Sequence, residues 1–379
     1  MKTPYHFTKK VLCLSILSWV MILPTLAQVT SPAHLGLVYP ISTHGTRAAE
    51  YSNNLSIHAL TGLSAGERGL AIYGLAGIIK GDAIGLQTAG LWLNLNGELQ
   101  GLQLSGLVNQ AHNAPHGVQI SGLVNLLEGQ TPVQLSGIIN RAEKISAVEI
   151  TGLVNISKQV EGVQLSGITN ISPQIKGIQI SGIGNLAKDV KGSQIAGIFN
   201  KAETVSGIQL SGIINIADSS DFPIGLINII KNGERTIGLS VDENLSSLIS
   251  LRSGGRKLYG IIGLGSNFQD IDFPYVLEGG MGMKLLDKNK FNLDLEASSL
   301  VLTDFQQSEY FRSGFRLLPQ FKFSDNLRIF AGPSLNYMNS KNNVGQGFSK
   351  LEIWENQGRC GQHSVYMGFT GGIQIKVSP

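Results

Sequence analysis

Side-chain amides recur at a fixed spacing through the middle of the chain. The central glycine of a repeat unit falls at 106, 122, 137, 152, 167, 182, 197 and 212, and one glutamine and one asparagine accompany it in almost every unit. Identical amides stacked in parallel can hydrogen-bond along the stack, because each carries both donors and an acceptor. The spacing therefore predicts two structural ladders, formed by Gln103, Gln119, Gln134, Gln164, Gln179, Gln194 and Gln209 and by Asn109, Asn125, Asn140, Asn155, Asn170, Asn185, Asn200 and Asn215.

A glutamine row on the surface would have a different use, since it could bind a glycan or another repeated ligand. Carbohydrate recognition would also need aromatic platforms or clustered acids in one column, and Trp92, Tyr73 and Phe199 share no column. A carbohydrate-binding or carbohydrate-active solenoid is thus the alternative to a structural role. Glu149 and Ala196 depart from the repeat, which affects its local regularity only.

Other residues that could do chemistry form no constellation. His112 and His116 are the closest histidine pair, but they lie in a loop-like stretch with no acidic residue nearby in the sequence, and the other histidines considered, His44, His58 and His363, are scattered. Metal sites need several ligands brought together. The acidic residues Glu143, Glu161, Asp189 and Glu203 fall in the variable turns, without the paired geometry of glycosidases. The sequence predicts no catalytic, cofactor-binding or metal-binding residue, and we expect a protein that is not an enzyme.

The elements that would position the amides are short strands. In Val163-Gln-Leu-Ser apolar and polar residues alternate, as in a strand with one buried face, and Gly167 permits a corner. Fifteen residues then make one turn of a parallel β-coil, and about eleven turns stacked at ~4.8 Å give a rod of roughly 50 Å. An antiparallel hairpin in each unit is the geometric rival, although the units lack Asn-Gly hairpin turns.

After about Lys231 the repeat gives way to longer alternating segments. Apolar and polar residues alternate from Ser364 to Val377, and similar patterns surround Phe311 to Phe323 and Phe291 to Glu296. Further candidates lie near 236–241, 245–252, 257–265, 275–286 and 327–337, which makes about eight strands. The predicted fold is all-β, a 15-residue-repeat β-solenoid followed by an antiparallel β-barrel-like domain.

Periodicity alone leaves open which face of this barrel is inside. Strands longer than the ~9 to 11 residues needed to span a bilayer, and charges of both signs on the polar face, favour an outer-membrane barrel over a soluble one. Aromatic residues near strand ends agree: Tyr275, Phe291, Phe311, Phe323 and Tyr337. The C-terminus Lys376-Val-Ser-Pro379 lacks a terminal aromatic residue, which argues against it. An even-stranded barrel would leave the solenoid in the periplasm, which protease accessibility in intact cells would test.

The N-terminus has the pattern of a secretory signal peptide. Lysines precede an apolar run from Val11 to Leu26, which is too short for a typical transmembrane helix, and Thr25-Leu-Ala27 forms a cleavage site. We predict a signal peptide over 1–27, an N-terminal lead-in or cap over 28–50, the solenoid over 51–230 and the β-domain over 231–379. Cys360 would be the single cysteine of the exported chain. The net charge of +3, with scattered basic residues, predicts no nucleic-acid partner.

The units resemble those of the tandem-repeat "surface repeat" envelope proteins of Gram-negative bacteria, which read like Gly-Val-Gln-Ile-Ser-Gly-Leu-Val-Asn. Tyr39-Pro-Ile, His44-Gly45 and Asn54-Leu-Ser-Ile are similar to the lead-in of that family, and Ala331-Gly-Pro-Ser-Leu-Asn336 to its closing segment. The resemblance implies an exported, non-catalytic protein of the cell envelope and supplies no functional residues. We expect outer-membrane lipid as a partner, with an envelope protein or glycan as further candidates.

Overall fold

The structure is a computed structural model that describes residues 29–255, 257–269, 274–305, 308–340, 348, 351–358 and 361–377. It consists of a β-solenoid of about 12 turns followed by a closed antiparallel barrel of 8 strands. This confirms the predicted fold class. The predicted signal peptide lies outside the described residues, as does Cys360. One 3₁₀-helix covers Gly45–Glu50. In the described part of the chain, no helix is long and apolar enough to cross a membrane.

The solenoid, called the rod below, contains 22 strands. Their bounds are β1 (Val29–Val38), β2 (Ile41–Ser42), β3 (Tyr51–His58), β4 (Thr61–Ser64), β5 (Gly66–Tyr73), β6 (Ala76–Ile79), β7 (Ala83–Ala89), β8 (Trp92–Ser105), β9 (Val108–Ser121), β10 (Val124–Leu127), β11 (Gln130–Ser136), β12 (Ile139–Thr151), β13 (Val154–Ser166), β14 (Thr169–Ile171), β15 (Gln174–Ser181), β16 (Gly184–Leu186), β17 (Asp189–Ala196), β18 (Phe199–Lys201), β19 (Thr204–Ser211), β20 (Ile214–Ala217), β21 (Ser219–Ile224) and β22 (Ile227–Ile230).

Equivalent residues of successive turns are paired in parallel. Gln164 lies opposite Gln179 in the β13–β15 pair, and Asn170 lies opposite Asn185 in the β14–β16 pair. This register excludes the hairpin alternative for the repeat units. Parallel stacking begins at β1, which pairs with β3 and therefore precedes the array limit predicted near residue 51. The first turns lack the glutamine of the repeat, so the amide spacing does not reveal them.

The corner glycines are required by close stacking of the turns. A Cβ atom on Gly167 would lie 2.1 Å from the carbonyl oxygen of Gly152, the equivalent residue one turn below. Real Cβ atoms do not approach backbone that closely, and only glycine has none. Stacked glycines thus allow the chain to turn the same corner in each unit.

The barrel strands are β23 (Glu234–Asp242), β24 (Ser246–Gly254), β25 (Leu258–Asn267), β26 (Tyr275–Asp287), β27 (Phe291–Thr303), β28 (Ser308–Lys322), β29 (Leu327–Ser340), β30 (Glu352–Gly358) and β31 (Gly361–Lys376). All of them except β30 form the ring: each pairs with its neighbour, β29 pairs with β31, and β23 closes the ring by pairing with β31. The strand β30 lies outside the ring as a hairpin with β31, and the sequence patterns did not predict it.

The two ends of the barrel differ in their connections. Short turns over 255–257, 288–290 and 323–326 lie at the end where β23 begins and β31 ends, and we call it the short-turn end. At the other end, β26 begins eight positions after β25 ends, and β31 begins 21 positions after β29 ends; we call it the long-loop end. The chain passes from the rod into β23 at the short-turn end.

Candidate functional site

The predicted amide ladders line the interior of the rod. From Gln119 onward, each Gln Nε2 donates to a side-chain oxygen of the preceding turn, as in Gln179 to Gln164 at 2.8 Å, whereas Gln103 Nε2 has no acceptor. The glutamines of the column are buried. Each Asn Nδ2 donates in the opposite direction, as in Asn170 to Asn185 at 2.9 Å, and also to a backbone carbonyl of the next turn. Because the glutamine column is inside, it presents no row of amides to a glycan.

One carboxylate interrupts the glutamine ladder. Glu149 accepts hydrogen bonds from Gln164 Nε2 at 2.7 Å and from Ser157 Oγ at 2.9 Å. Burial raises the pKa of the Glu149 carboxyl to about 7, and the hydrogen bonds from Gln164 and Ser157 lower it in part. The Oε1 atom of Gln134, one turn below, has no hydrogen-bond donor. The carboxyl group therefore fills the glutamine position without completing the ladder.

The surface outside these ladders is apolar. The residue that follows the corner glycine or alanine is leucine or isoleucine in every turn, and all but Ile138 are exposed, from 37% for Leu123 to 49% for Leu37. Direct backbone hydrogen bonds join these residues between turns, as from Ile183 N to Ile168 O at 3.1 Å. We call this column the Leu/Ile ridge; it consists of Leu37, Leu60, Leu75, Leu91, Leu107, Leu123, Ile138, Leu153, Ile168, Ile183, Ile198, Ile213 and Leu226.

The opposite edge of the rod has the usual arrangement of a water-soluble protein. Val160, Ile175 and Val190 are buried there in an apolar core. Outside them lie ion pairs, including Lys158 with Glu143 at 2.8 Å and Lys176 with Glu161 at 3.2 Å. We call the surface of Glu143, Lys144, Lys158, Glu161 and Lys176 the charged edge. The rod is thus polar inside and apolar outside at the ridge, and the reverse at the charged edge.

The barrel also has a polar interior, filled by an ion-pair network. Arg316 contacts Glu278 and Glu296 at 2.8 Å each, and Arg252 Nε contacts Glu296 at 2.7 Å. The hydroxyl of Tyr259 donates to Glu296 and Asp294 at 2.9 Å. Buried charges are tolerated when they are paired and hydrogen-bonded in this way.

The lumen holds little space for a solute. Nearer the long-loop end its side chains become apolar, with Val276, Leu300, Leu302, Tyr310 and Tyr366 in one buried cluster. A cavity beside Arg252 and Asp294 has a volume of only about 10 Å³. Barrels of eight strands are just wide enough for side chains to fill. The described lumen is therefore a packed core.

The outer wall of the barrel is apolar along most of its height. Apolar side chains lie outside and charged side chains inside, the inverse of a soluble protein: Phe315 is 60% exposed, whereas the side chain of the neighbouring Arg316 is 4% exposed. Exposed aromatic residues lie near both ends: Phe291, Phe321 and Phe323 at the short-turn end, and Phe268, Tyr275, Phe305, Phe311 and Tyr337 toward the long-loop end. The five aromatic residues predicted from the sequence are all among them.

The last turn of the rod packs against this outer wall. Asn228 Nδ2 donates to Ser253 O of β24 at 3.1 Å, so the asparagine ladder ends on the barrel. A Cβ on Gly260 of β25 would lie 2.1 Å from Gly225 O and 2.4 Å from Leu226 O. Beside this contact is an apolar groove of about 660 Å³, lined by Leu210 and Leu226 of the rod and by wall residues such as Phe315.

The first turns of the rod hold a buried cluster of histidines that the sequence did not predict. The rings of His34 and His44, and those of His34 and His58, are 4.4 Å apart. Asn53 and Glu67 lie beside them, with Asn53 Nδ2 3.4 Å from His34 Nδ1. His44 and His58 are thus not scattered; the half-buried corner over Gly45–Glu50 brings distant positions together, and no spacing in the sequence signals that.

The environment of this cluster shifts several pKa values. Burial, with His58 and His44 nearby, lowers the pKa of His34 to about 4. Burial also lowers the pKa of His58 and raises that of Glu67. Among the described residues, no group of three or more histidine, cysteine or acidic side chains has the arrangement of a metal site.

Of the pair His112 and His116, the sequence predicted that neither has an acidic residue nearby, and for His112 this is wrong. His112 does have an acidic partner, because its Nδ1 lies 2.8 Å from Glu128 Oε2 of the next turn. The two residues are 16 positions apart, and parallel stacking makes them neighbours. Both side chains are exposed.

Comparisons with known proteins identify no family. No family model matches the chain, and no curated protein matches it. A solved structure described as "De novo design of transmembrane beta-barrels" is similar at 15% identity and a TM-score of 0.24, covering 39% of this chain and 98% of that chain. At that TM-score the similarity carries no conclusion about this chain.

Proposed function

We propose that the protein is a non-enzymatic structural or interaction protein of the cell envelope, in which an outer-membrane barrel anchors the rod. The observation that carries the proposal is the inversion of the barrel, with a charged, hydrogen-bonded interior and an apolar wall. A soluble barrel would bury its apolar face, whereas a membrane barrel turns that face to lipid. The aromatic residues near both ends of the wall fit the two interfaces of a bilayer.

The two barrel ends support a specific orientation. Outer-membrane barrels have short periplasmic turns and longer external loops. The chain passes from the rod into β23 at the short-turn end, where β31 also ends, so the proposal places the rod on the periplasmic side. This arrangement requires export, for which the signal-peptide pattern of residues 1–27 is the sequence support. The resemblance to surface-repeat proteins fits an envelope protein, with the repeats beneath the surface.

A packed lumen favours anchoring over transport. The ion pairs around Arg316 and the apolar cluster around Tyr310 occupy the interior that a channel would need. The rod then presents the surfaces available for envelope partners. A carbohydrate-binding role gains no support, because the glutamine column is buried.

Fractionation with heat-modified gel mobility tests the proposal. Folded membrane barrels resist detergent without boiling, so we expect the mature protein in the outer-membrane fraction, with a mobility that changes on boiling. Protease added to intact cells should leave the rod uncut and should cut it after the outer membrane is permeabilised. A soluble protein with unchanged mobility would refute the membrane anchor, and cleavage of the rod in intact cells would refute its orientation.

A further inference from the structure

We infer that the rod is itself a membrane-binding element, whose Leu/Ile ridge inserts into the hydrocarbon of the leaflet on the short-turn side. The rod would lie along the membrane and not project away from it. The inference rests on the proposed barrel anchor and adds a second lipid-binding surface, with phospholipid acyl chains as the occupant.

The first observation is the size of the apolar surface. Three neighbouring columns contribute to it: the ridge itself and the two apolar positions before the corner glycine, such as Ile178 and Ile180. If each exposed ridge side chain presents on the order of 70 Å², the ridge alone presents on the order of 800 Å², more than the roughly 300–600 Å² of the largest patch on a typical soluble monomer. So large an apolar surface needs a partner.

The second observation is that charge is absent from this surface over the length of the rod. In each turn from 55–62 to 208–215, this surface is formed by a segment from the fourth residue before the corner to the third after it, and Glu149 is the one Asp, Glu, Lys or Arg in these segments. Its side chain points into the rod. The last turn is shorter, and its equivalent segment, 222–228, is also uncharged but directly follows the exposed Asp221. The ion pairs of Lys158 and Lys176 lie on the charged edge instead. This division matches a surface with one side in lipid and one in water.

The third observation is the polar interior behind the ridge. Apolar residues face out there because the inward positions hold the amide ladders, as for Gln179 and Asn185. In hydrocarbon every polar group must find its partner within the protein, and the ladders and parallel strands provide those partners. From Ile178 to its end at Ser181, β15 is uncharged over about 10 Å, which is less than the ~15 Å of hydrocarbon in one leaflet.

The fourth observation is continuity with the barrel wall. The ridge ends at Leu226, which lies against Gly279 of β26, since a Cβ there would be 3.7 Å from Leu226 Cδ2. Gly279 lies within the strand and pairs with Ser299 of β27, so the ridge meets the wall inside its apolar belt. The asparagine ladder follows the stacking direction of the turns and ends on Ser253 of β24. The axis of the rod therefore leads away from the barrel wall. The groove beside Leu210 and Phe315 would be filled by acyl chains.

Spin labels at single cysteines test the inference on the mature, full-length protein in vesicles of phosphatidylcholine and phosphatidylglycerol. In a Cys360→Ser background, Ile183→Cys probes the ridge, Lys176→Cys the charged edge and Phe315→Cys the barrel wall. Oxygen concentrates in hydrocarbon, whereas a nickel chelate stays in water. We expect the ratio of oxygen to nickel collisions to be on the order of tenfold higher at Ile183→Cys than at Lys176→Cys, because a polar complex is excluded from hydrocarbon. Ile198→Cys, one turn further, repeats the measurement.

The outcomes separate this inference from the proposed function. A lipid signal at Phe315→Cys with nickel access at Ile183→Cys would overturn the inference and leave the barrel anchor in place. Shielding of Ile183→Cys from both reagents, with dipolar broadening between labels, would show a second copy on the ridge and also overturn it. Nickel access at Phe315→Cys would refute the anchor, and the inference with it.

Discussion

Glu149 accepts a hydrogen bond of 2.7 Å from Gln164 Nε2 in a column where glutamine occupies the adjacent turns. A glutamine at this position could both accept from Gln164 and donate to Gln134, whose Oε1 has no donor. An ionised carboxylate only accepts. The ladder is therefore broken between Gln134 and Glu149 whenever Glu149 is charged, and burial of that charge makes the break costly.

We expect Glu149→Gln to stabilise the rod, and to do so more at high pH. The folded pKa of Glu149, about 7, is above its ordinary value of 4.5, so the folded rod binds the proton more tightly than the unfolded chain. Stability of the native rod then falls as pH rises from about 4.5 to about 7 and stays low above that. The variant removes this loss, which is about 3 kcal/mol at most.

Urea unfolding of the detergent-solubilised protein measures this effect. Trp92 lies in the rod, and a Trp354→Phe background makes it the reporter in the mature chain. The difference in unfolding free energy between Glu149→Gln and its parent should be small at pH 4.5 and largest above pH 7. A difference that shrinks as pH rises would contradict the ladder account.

The reverse substitution should be worse elsewhere in the column. Ser157 donates to both carboxylate oxygens of Glu149, at 2.9 and 3.0 Å. In the turn of Gln179 the equivalent position is Ala187, which has no hydroxyl. We expect Gln179→Glu to destabilise the rod by about 2–4 kcal/mol at pH 8, since a buried charge would lack one of its partners.

The same unfolding assay checks this second prediction. Combining Gln179→Glu with Ala187→Ser should recover part of the loss, because the added hydroxyl can donate as Ser157 does. If Gln179→Glu leaves the rod as stable as its parent, the column does not select amides by hydrogen bonding.

The repeat made the stacking of the rod predictable, but not which of its faces is inside. Alternation in Val163-Gln-Leu-Ser identifies a strand with two unlike faces, and hydrophobicity normally assigns Val163 to the interior. The structure buries Gln164 and exposes Val163. The identity of the buried face depends on the solvent outside, which a period of two residues does not encode. The barrel strands have the same ambiguity: apolar residues such as Phe315 alternate with polar ones such as Arg316, and this pattern alone does not say which set faces the lumen.

Contacts formed by stacking were predictable only where the spacing was regular. The Asn170 to Asn185 step follows from the 15-residue repeat, so the ladder could be predicted. His34 and His58 carry no repeat signal and meet because β1 pairs with β3 in parallel. Strand β30 was missed because its sequence, Glu-Ile-Trp-Glu-Asn-Gln-Gly, has too few alternations to predict a strand.

Position 315 distinguishes a lipid-facing wall from a wall in water. We expect Phe315→Arg to reduce folding of the barrel into bilayers, at a cost of about 2–4 kcal/mol for a charge near the middle of the bilayer. Phe315→Leu keeps the wall apolar and should change the folding free energy little. Urea titration of folding into vesicles, followed by heat-modified gel mobility, measures both. Equal stability of Phe315→Arg and Phe315→Leu would indicate that the wall faces water.

The contact between rod and barrel depends on Gly260. A methyl group there would meet the carbonyl oxygens of Gly225 and Leu226, which are backbone atoms and cannot rotate away. We expect Gly260→Ala to cost about 1–3 kcal/mol by overpacking and to loosen the last turn of the rod. Gly371→Ala is the matched control on the barrel, because its nearest neighbours would be 3.7 Å away.

Limited proteolysis of the 231–233 connection reports on that contact. Cleavage should be faster in Gly260→Ala than in Gly371→Ala, since local opening of the last turn exposes the segment. Equal cleavage in both variants would show that the rod does not depend on this close approach for its position.

The histidine cluster should make the first turns of the rod sensitive to acid. The folded pKa of His34, about 4, is below its ordinary 6.5, because burial and the neighbouring His58 and His44 disfavour a positive charge. The unfolded chain then binds more protons between pH 6.5 and 4, so stability of these turns is lost as pH falls through that range. This trend is opposite to that produced by Glu149.

Amide hydrogen exchange resolves the two trends within one molecule. Exchange in β1 (Val29–Val38), corrected for the intrinsic effect of pH, should accelerate relative to β15 as pH falls from 6.5 toward 4. His34→Gln should weaken that acceleration because it removes a buried titrating group. His112→Gln alters an exposed histidine paired with Glu128 and should leave the exchange of β1 unchanged. If His34→Gln retains the full acid response, other groups in the cluster control the stability of these turns, and the assignment to His34 is wrong.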